Sequence, residues 1–587
     1  MVDDEMQHLR AVLVGVLLVG GGAHALGPGD LDPDFNGGQP LSFDLSRTAP
    51  RATGFGKVLV DAEGRYVAVG STTDADGKTA LAVVRVTPQG GPDTTFGAGG
   101  AVVLQLGQGS GTNLPFTLSL GAALSPSGLL VSGLYATMAD GRVGAGAVRL
   151  LSNGAPDPGF GAGGAVVVQA SPTMPGYAGG GYVGVAGDEG VYATGVLESN
   201  PTTGANRKLV LLEFDAAGVL VPSFGNGVVP GAYIGSFSQY PTDTGTHGGP
   251  IVPLSSGKVL VSGVTLASDS RQQIYLARFT ATGQPDAAFG TTGPGYTDVK
   301  ASDPALTSGD SQASAMARGP DDSIYVAGRA DDSNRRFAMS VTRFGAGGAV
   351  DTTFGSLGTR RVQAAEGLDD DRTSDAQAVV VEADGRIILF GNARDSQGSR
   401  ALALVRMLSD GTLDASFGSG GVLRPAIGSG TDAGGGGAAL TSDGKLIVAG
   451  SLGSSPTVGF IARILLSTPP PPPPPPAGCS TAITFDAIVC RIDVLGATVD
   501  ARVAAGSVHD RLAALLATAR ARTLDASTAP AGRARKKAVK KPLRSLAAVT
   551  RVLGSKGGRR LDSALRADLK STVRGLQADL RAVATTS

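Results

Sequence analysis

The chain has 587 residues, and its 50 Lys+Arg and 50 Asp+Glu cancel to a formal net charge of zero. That length allows several ordinary domains, or one large repeat array with an appendage. Tryptophan is absent and aromatic residues make up 5% of the chain, which argues against a stacking platform for bases or sugars. The zero is an average: from Ala477 onward there are 20 basic and 8 acidic residues, leaving 30 basic and 42 acidic in the rest. An acidic body carries a basic tail.

The first segment reads as an export signal. Ala11 to Gly22 is an apolar run followed by Ala23-His24-Ala25, a small-x-small cleavage pattern, so residues 1–25 are expected to be a signal peptide cut after Ala25. The run is too short to span a bilayer, and no transmembrane span is expected elsewhere. Asp3, Asp4 and Glu5 are out of place in a region that should be basic, which leaves the start at Met1 or Met6. The expected location is extracellular or at the cell surface, with the periplasm as the alternative.

A short phrase then recurs around Phe35, Phe96, Phe160, Phe224, Phe289, Phe354 and Phe417, at steps of 61, 64, 64, 65, 65 and 63 residues. A fixed period of this size marks an array of like supersecondary units. Glycine follows the phenylalanine in every copy but the first, which has Asn36; both residues tolerate positive φ, so a left-handed turn is expected there. The aspartate three residues before the phenylalanine (Asp32, Asp93, Asp157, Asp286, Asp351, Asp414) suits a turn in which the carboxylate bonds its own backbone. Phe then packs as a plug beneath.

Eight residues before the motif aspartate stands an arginine: Arg85 before Asp93, Arg149 before Asp157, Arg278 before Asp286, Arg343 before Asp351 and Arg406 before Asp414. In the fourth copy Glu213 replaces the arginine and Val221 the aspartate, and this joint loss points to ion pairing. Asp32 lacks an upstream arginine in the mature chain, and Arg463 lacks a downstream aspartate. A closed ring would join them.

Within a unit the pattern is of short strands. In the sixth, these are Thr359 to Ala364, Ala376 to Glu382, Arg386 to Gly391 and Ala401 to Leu408, with a tight hairpin expected at Asp384-Gly385. The strand after that hairpin carries glycine in every copy (Gly70, Gly133, Gly195, Gly263, Gly328, Gly391, Gly450), implying a bend or a close backbone approach. Seven units of four antiparallel strands describe a mainly β chain: a seven-bladed β-propeller of four-stranded blades over residues 26–466, whose radial repetition protects the sheet edges. A parallel β-helix is the runner-up, but its coils are shorter and need no hairpins.

Here the sequence resembles the bacterial delta-60 repeat proteins. The resemblance rests on Gly411-Thr412-Leu413-Asp414-Ala415-Ser416-Phe417-Gly418-Ser419-Gly420-Gly421 and on Ser442-Asp443-Gly444-Lys445-Leu446-Ile447-Val448-Ala449-Gly450, and covers roughly Gly29 to Leu466. It implies an exported, propeller-forming surface protein and carries over no catalytic residues.

A proline-rich linker follows at 467–478. Pro469 to Pro476 are unbroken, a stiff polyproline II spacer of about 25 Å. Cys479 and Cys490 are the only cysteines, and in an exported chain they are expected to form one disulfide. Residues 479–587 read as a small basic α-helical bundle, with apolar faces at Leu512–Leu515–Leu516–Ala519, at Val539–Leu543–Leu546–Thr550–Leu553, and from Leu561 to Val583. The stretch from Arg533 to Arg544 is strongly basic and suits an anionic cell-envelope polymer or a lipid headgroup, or simply a solvated helix face.

Catalytic signals are thin. The mature chain holds two histidines, His247 and His509, on different domains, which disfavours a Ser-His-Asp triad or a multi-histidine metal site. Asp74, Asp76, Asp369, Asp370 and Asp371 offer oxygen ligands for calcium but lack the closing glutamate of a calcium loop; no other cofactor is expected. The glycine runs at 179–181 and 434–437 have no Lys-Ser/Thr at phosphate-loop spacing. The expectation is a secreted or cell-surface binding or scaffold module for an unknown protein or polysaccharide ligand, not specific for nucleic acid, with the basic tail anchoring or recruiting. The alternative is a propeller hydrolase or lyase using loop or channel carboxylates.

Overall fold

The computed structural model describes residues 27–48, 52–106, 117–118, 121–137, 143–168, 178–200, 205–237, 245–306, 309–366, 373–428, 432–454, 456–467, 479, 482–503, 507–555, 558, 561 and 563–585. The expected signal peptide, nearly all of the proline-rich linker, and Asp369, Asp370 and Asp371 lie outside them. The chain divides into two units, Met1–Thr468 and Pro469–Ser587.

The first unit is a seven-bladed β-propeller of four-stranded antiparallel sheets. Blade one consists of Thr53–Val60, Tyr66–Thr73, Thr79–Val86 and Ala101–Leu104, from the innermost strand outward. Blades two to six repeat this order over residues 117–168, 178–235, 247–299, 311–362 and 374–423, the innermost strand of blade two being split into Thr117–Leu118 and Ala122–Leu124. Blade seven is composite. Ala433–Leu440, Leu446–Leu452 and Val458–Ile464 supply three strands, and Leu41–Phe43 from the other end of the chain supplies the outermost. The pairing is antiparallel, with Leu41 opposite Ile461 and Phe43 opposite Gly459. Hydrogen bonds from Asp32 N to Arg463 O at 2.8 Å and from Gly29 N to Leu465 O at 2.7 Å extend the seam.

A sequence repeat is therefore one strand out of phase with a blade. Thr359–Val362, expected to open the sixth unit, is the outermost strand of blade five. Each repeat thus spans two sheets, and the offset left over at the termini is what the first strand fills. The hairpins also differ from the two-residue turn expected. Asp61 N donates to Arg65 O and Gly64 N to Asp61 O, with Gly64 at φ 75°, so the loop has three residues: a type I turn closed by a left-handed glycine.

The core lies between the blades. Seven apolar clusters occupy the seven junctions, and each contains one motif phenylalanine: Phe35, Phe96, Phe160, Phe224, Phe289, Phe354 and Phe417. All seven rings are buried, each contributing about 1.5–3 kcal/mol of apolar burial. Phe35 joins Phe55 and Tyr66 of blade one to Ile447 and Ile461 of blade seven, which closes the ring. Glycine in the second strand has a geometric cause: a Cβ on Gly70 would lie 2.0 Å from Gly54 O, and one on Gly391 would lie 2.1 Å from Asp375 O. In both sheets the innermost strand bulges at this point, between Phe55 and Lys57 and between Ala376 and Ala378, bringing its carbonyl over the glycine.

The second unit is a bundle of four helices: α1 (Phe485–Arg502), α2 (Ser507–Ser527), α3 (Arg533–Gly554) and α4 (Ser563–Val583). Successive helices pack together and α1 packs on α4. One apolar core runs through them, including Ile492, Leu516, Leu546 and Leu576. Helix α1 adds a fourth apolar face to the three expected from the sequence: Ile488, Ile492, Leu495 and Val499 keep helical spacing and are all buried. Thr484 caps it by accepting a hydrogen bond from Ala487 N at 3.2 Å. The Cys479–Cys490 disulfide, with Cα atoms 5.8 Å apart, ties the incoming chain to this helix.

Candidate functional site

Chain direction alternates along each blade, which gives the ring two unlike faces. The hairpins such as 61–65 and the motif loops such as 87–100 share one face. The stretches leading toward the innermost strands, such as 44–48 and 300–306, share the other with hairpins such as 267–271.

On the motif face the arginines and aspartates of the repeat pair with one another. Arg85 Nε donates to Asp93 Oδ2 at 2.8 Å, and Arg149, Arg278 and Arg406 donate to Asp157, Asp286 and Asp414 at 2.7, 2.7 and 2.9 Å. Arg343 reaches Asp351 through Nη1 at 3.1 Å. Arg463 Nε donates to Asp32 Oδ2 at 2.6 Å across 431 residues of sequence. The other carboxylate oxygen holds the turn, as when Asp32 Oδ1 accepts from Asp34 N at 3.0 Å. Each guanidinium also reaches the following repeat: Arg85 Nη1 donates to Ser152 O and Arg149 Nη1 to Ala216 O, both at 2.6 Å, and Arg463 Nη1 to Pro88 O at 2.7 Å. Five of the six lie over a motif ring as well, with Arg85 4.6 Å from the Phe96 centroid and Arg406 4.4 Å from that of Phe417, while Arg343 lies over Tyr325 at 5.8 Å. The residue after the phenylalanine sits at positive φ, 46° at Asn36 and 52° at Gly97, and its N–H donates to the next repeat's turn. This constellation staples neighbouring blades.

The fourth copy departs from it. Glu213, half-buried, accepts from the Tyr192 hydroxyl at 3.0 Å, and Val221 has no charge to offer. Burial raises the Glu213 pKa; the Tyr192 hydrogen bond opposes this and nearby Asp188 adds to it.

The opposite face carries a polar cavity of about 440 Å³ between blades four and five, lined by Leu266, Asp269, Ser270, Arg271, Gln272, Asp310, Gln312 and Phe337. Its polar groups are fixed by one another. Gln272 N donates to Asp310 Oδ1 at 2.9 Å, and Arg271 lies 3.6 Å from the same carboxylate. Gln312 Nε2 donates to Gln272 Oε1 at 2.5 Å and Gln312 Oε1 accepts from Arg329 Nε at 2.9 Å. Arg329 in turn stacks on the Phe337 ring at 4.2 Å. Amides, a carboxylate and a ring edge held in this way suit a hydroxyl-rich or peptide-like ligand. No seven-fold motif marks these residues: Asp310 has a counterpart in Asp432, which accepts from Arg400 N at 3.1 Å, but Gln272, Gln312 and Phe337 stand where the copies differ.

The catalytic and metal candidates do not gather. His247 begins the innermost strand of blade four, its Nε2 3.1 Å from Arg207 Nη1; burial, with help from that guanidinium, lowers its pKa to about 4. His509 lies on α2 between Asp500 and Asp510. Asp74 Oδ1 accepts from Asp76 N at 2.9 Å and Lys78 N at 2.8 Å, closing a hairpin, and Asp76 lies 3.8 Å from Lys78. Among the described residues no group of three His, Cys, Asp or Glu is placed to hold a metal ion. The innermost strands together contribute one carboxylate, Asp375, which accepts from Asn392 Nδ2 at 3.0 Å. No helix among the described residues is long and apolar enough to cross a membrane.

A family model described as a domain of unknown function (DUF5122) β-propeller matches residues 62–96, 254–289 and 382–417. Each matched segment ends at or next to a motif phenylalanine. No curated protein matches the chain. Among solved structures the chain is similar to a Trypanosoma rangeli sialidase in complex with the inhibitor DANA, at 11% identity and TM-score 0.34, over 62% of this chain and 58% of that one. It is also similar to a glucose dehydrogenase (13%, TM-score 0.31, 58% and 95%) and to a GH43_1 enzyme from Xanthomonas citri (13%, TM-score 0.26, 50% and 89%). The chain thus spans little more than half the length of the sialidase. Its repeats and its seven sheets make it a β-propeller repeat protein.

Proposed function

We propose that this is an exported binding or scaffold module of the delta-60 repeat kind, in which the ring presents a ligand site and the basic helical unit anchors or recruits. The observation that carries the reading is the contrast between the faces: one spends its charges on stapling blades, while the other holds the cavity around Gln272, Asp310, Gln312 and Phe337. The ligand is a protein segment or a polysaccharide. The export signal read from residues 1–25 and the Cys479–Cys490 disulfide, a bond that persists in oxidising compartments, both support a place outside the cytoplasm. The enzyme alternative would draw on loop or channel carboxylates, of which the cavity holds Asp269 and Asp310 and the innermost strands hold Asp375.

The test is a panel of soluble polysaccharides and peptides titrated into the full chain and into the Gln272→Ala/Gln312→Ala variant. A ligand that binds the native chain should lose at least about tenfold in affinity, as expected when about 1.4 kcal/mol of polar contact is removed. Equal binding by both proteins, or ligand turnover that persists in the variant, would overturn this assignment of the site.

A further inference from the structure

We infer that α3 is a docking track for a linear anionic polymer that carries no bases. The inference rests on the reading of the helical unit as the recruiting part and names what it recruits. Arg533, Lys536, Lys537, Lys540, Lys541 and Arg544 are exposed, and so is Arg551 further along the helix. At 100° per residue these seven side chains fall within an arc of about 140°, over a length of about 27 Å. The helix contains no acidic residue, and no ion pair among the described residues involves any of the seven.

The helix is built against its own preferences. Its N-cap, Gly532, makes no side-chain capping bond, and the first turn carries Arg533, Arg535 and Lys536, where the helix dipole favours anions. Like charges also repeat at i, i+3 and i+4 along the stripe. Anions laid along the track relieve both.

The buried side of α3 excludes a membrane-inserted mode. Val539, Leu546, Val549, Val552 and Leu553 are buried in the bundle core, which leaves no apolar face to enter a bilayer. At the Arg551 end the track meets a groove of about 460 Å³ shared with α2, where Arg511 adds a further cation above a floor including Leu515 and Val552. Nucleic acid is the poorer fit, because Phe485 is the sole aromatic residue after Ala477 and bases would find nothing to stack on.

The experiment titrates the full chain with labelled polygalacturonate and polyphosphate, which separate carboxylate from phosphate, alongside a single-stranded oligodeoxynucleotide and phosphatidylglycerol vesicles. At least one of the two polymers should bind at low salt with a log–log salt slope of about −4, for about six contacts released at about 0.7 each. Lys537→Gln/Lys540→Gln/Arg544→Gln should weaken binding at least about tenfold and reduce the slope by about 2. Arg502→Gln/Arg574→Gln/Arg581→Gln removes the same net charge from α1 and α4, and should leave affinity within about twofold if the track rather than the total charge is read. The proposal is overturned by equal loss in both triple variants, by tighter binding of the oligonucleotide or the vesicles, or by no polymer binding. The ring's ligand is read separately through Gln272 and Gln312, so either assignment can fail alone.

Discussion

Replacing Asp32 with asparagine tests how the ring is held shut. Asp32 is 2% exposed and Arg463 6%, and one carboxylate oxygen accepts from both Arg463 Nε at 2.6 Å and Lys445 Nζ at 2.5 Å. The variant leaves two cations facing a neutral amide at the seam, and removing one partner of a buried pair costs about 3–5 kcal/mol. The matched control is Asp351→Asn. There the side chains are 20% and 26% exposed, and a pair so open to solvent contributes about 1 kcal/mol or less. Guanidinium denaturation of the two variants against the native chain reads the difference, and a cycle with Arg463→Met isolates the coupling, expected above about 2 kcal/mol. High salt should erase the smaller effect and leave the larger one. If Asp32→Asn costs no more than Asp351→Asn, the two ends of the chain are not held together by this contact.

Four further outcomes can be measured in the same way. Glu213→Arg/Val221→Asp restores the missing staple at the fourth copy and should raise stability by about 1.5–3 kcal/mol, the range for hydrogen bonds to charged groups, in the same denaturation assay. On the acid side, the Thr353 hydroxyl with Arg343 lowers the Asp351 pKa, and the Ser416 hydroxyl with Arg406 lowers that of Asp414. Carboxylates with depressed folded pKa values stabilise above the unfolded value and lose that contribution below it, so the melting temperature should fall progressively below about pH 4. Glu213, whose pKa is raised, acts in the opposite sense: its stabilisation is lost as pH rises through the folded value, and Glu213→Gln should remove that part of the pH dependence. Cys490→Ser should lower the stability of the helical bundle by about 2–3 kcal/mol in calorimetry while the propeller transition stays in place.

Much of the architecture is legible in the sequence because one turn is built seven times. The Asp, the Phe and the residue at positive φ are each dictated by local backbone geometry, and local geometry repeats faithfully. Ring closure is legible for a different reason: Asp32 and Arg463 are the leftovers of a pairing rule that the other copies state openly. The phase of the blades is not legible, since Thr359–Val362 looks the same whether it begins one sheet or ends another; the decision is made by pairing with Met339–Thr342. Helix α1 is less legible because its first turn lies inside the Cys479–Cys490 loop, where a disulfide-closed loop is the nearer reading. The cavity at Gln272 and Gln312 lies beyond sequence reasoning: it brings together a hairpin of blade four and the first strand of blade five, and the two glutamines have no counterpart in the other copies.

Amide hydrogen exchange at Leu41–Phe43 measures directly whether the N-terminal strand completes the last blade. With Leu41 paired to Ile461 and Ser42 to Phe460, these amides should be protected to the same degree as those of Ala101–Leu104, the outermost strand of blade one. Exchange at the rate of a free peptide in Leu41–Phe43, with Ala101–Leu104 still protected, would mean that the ring is open.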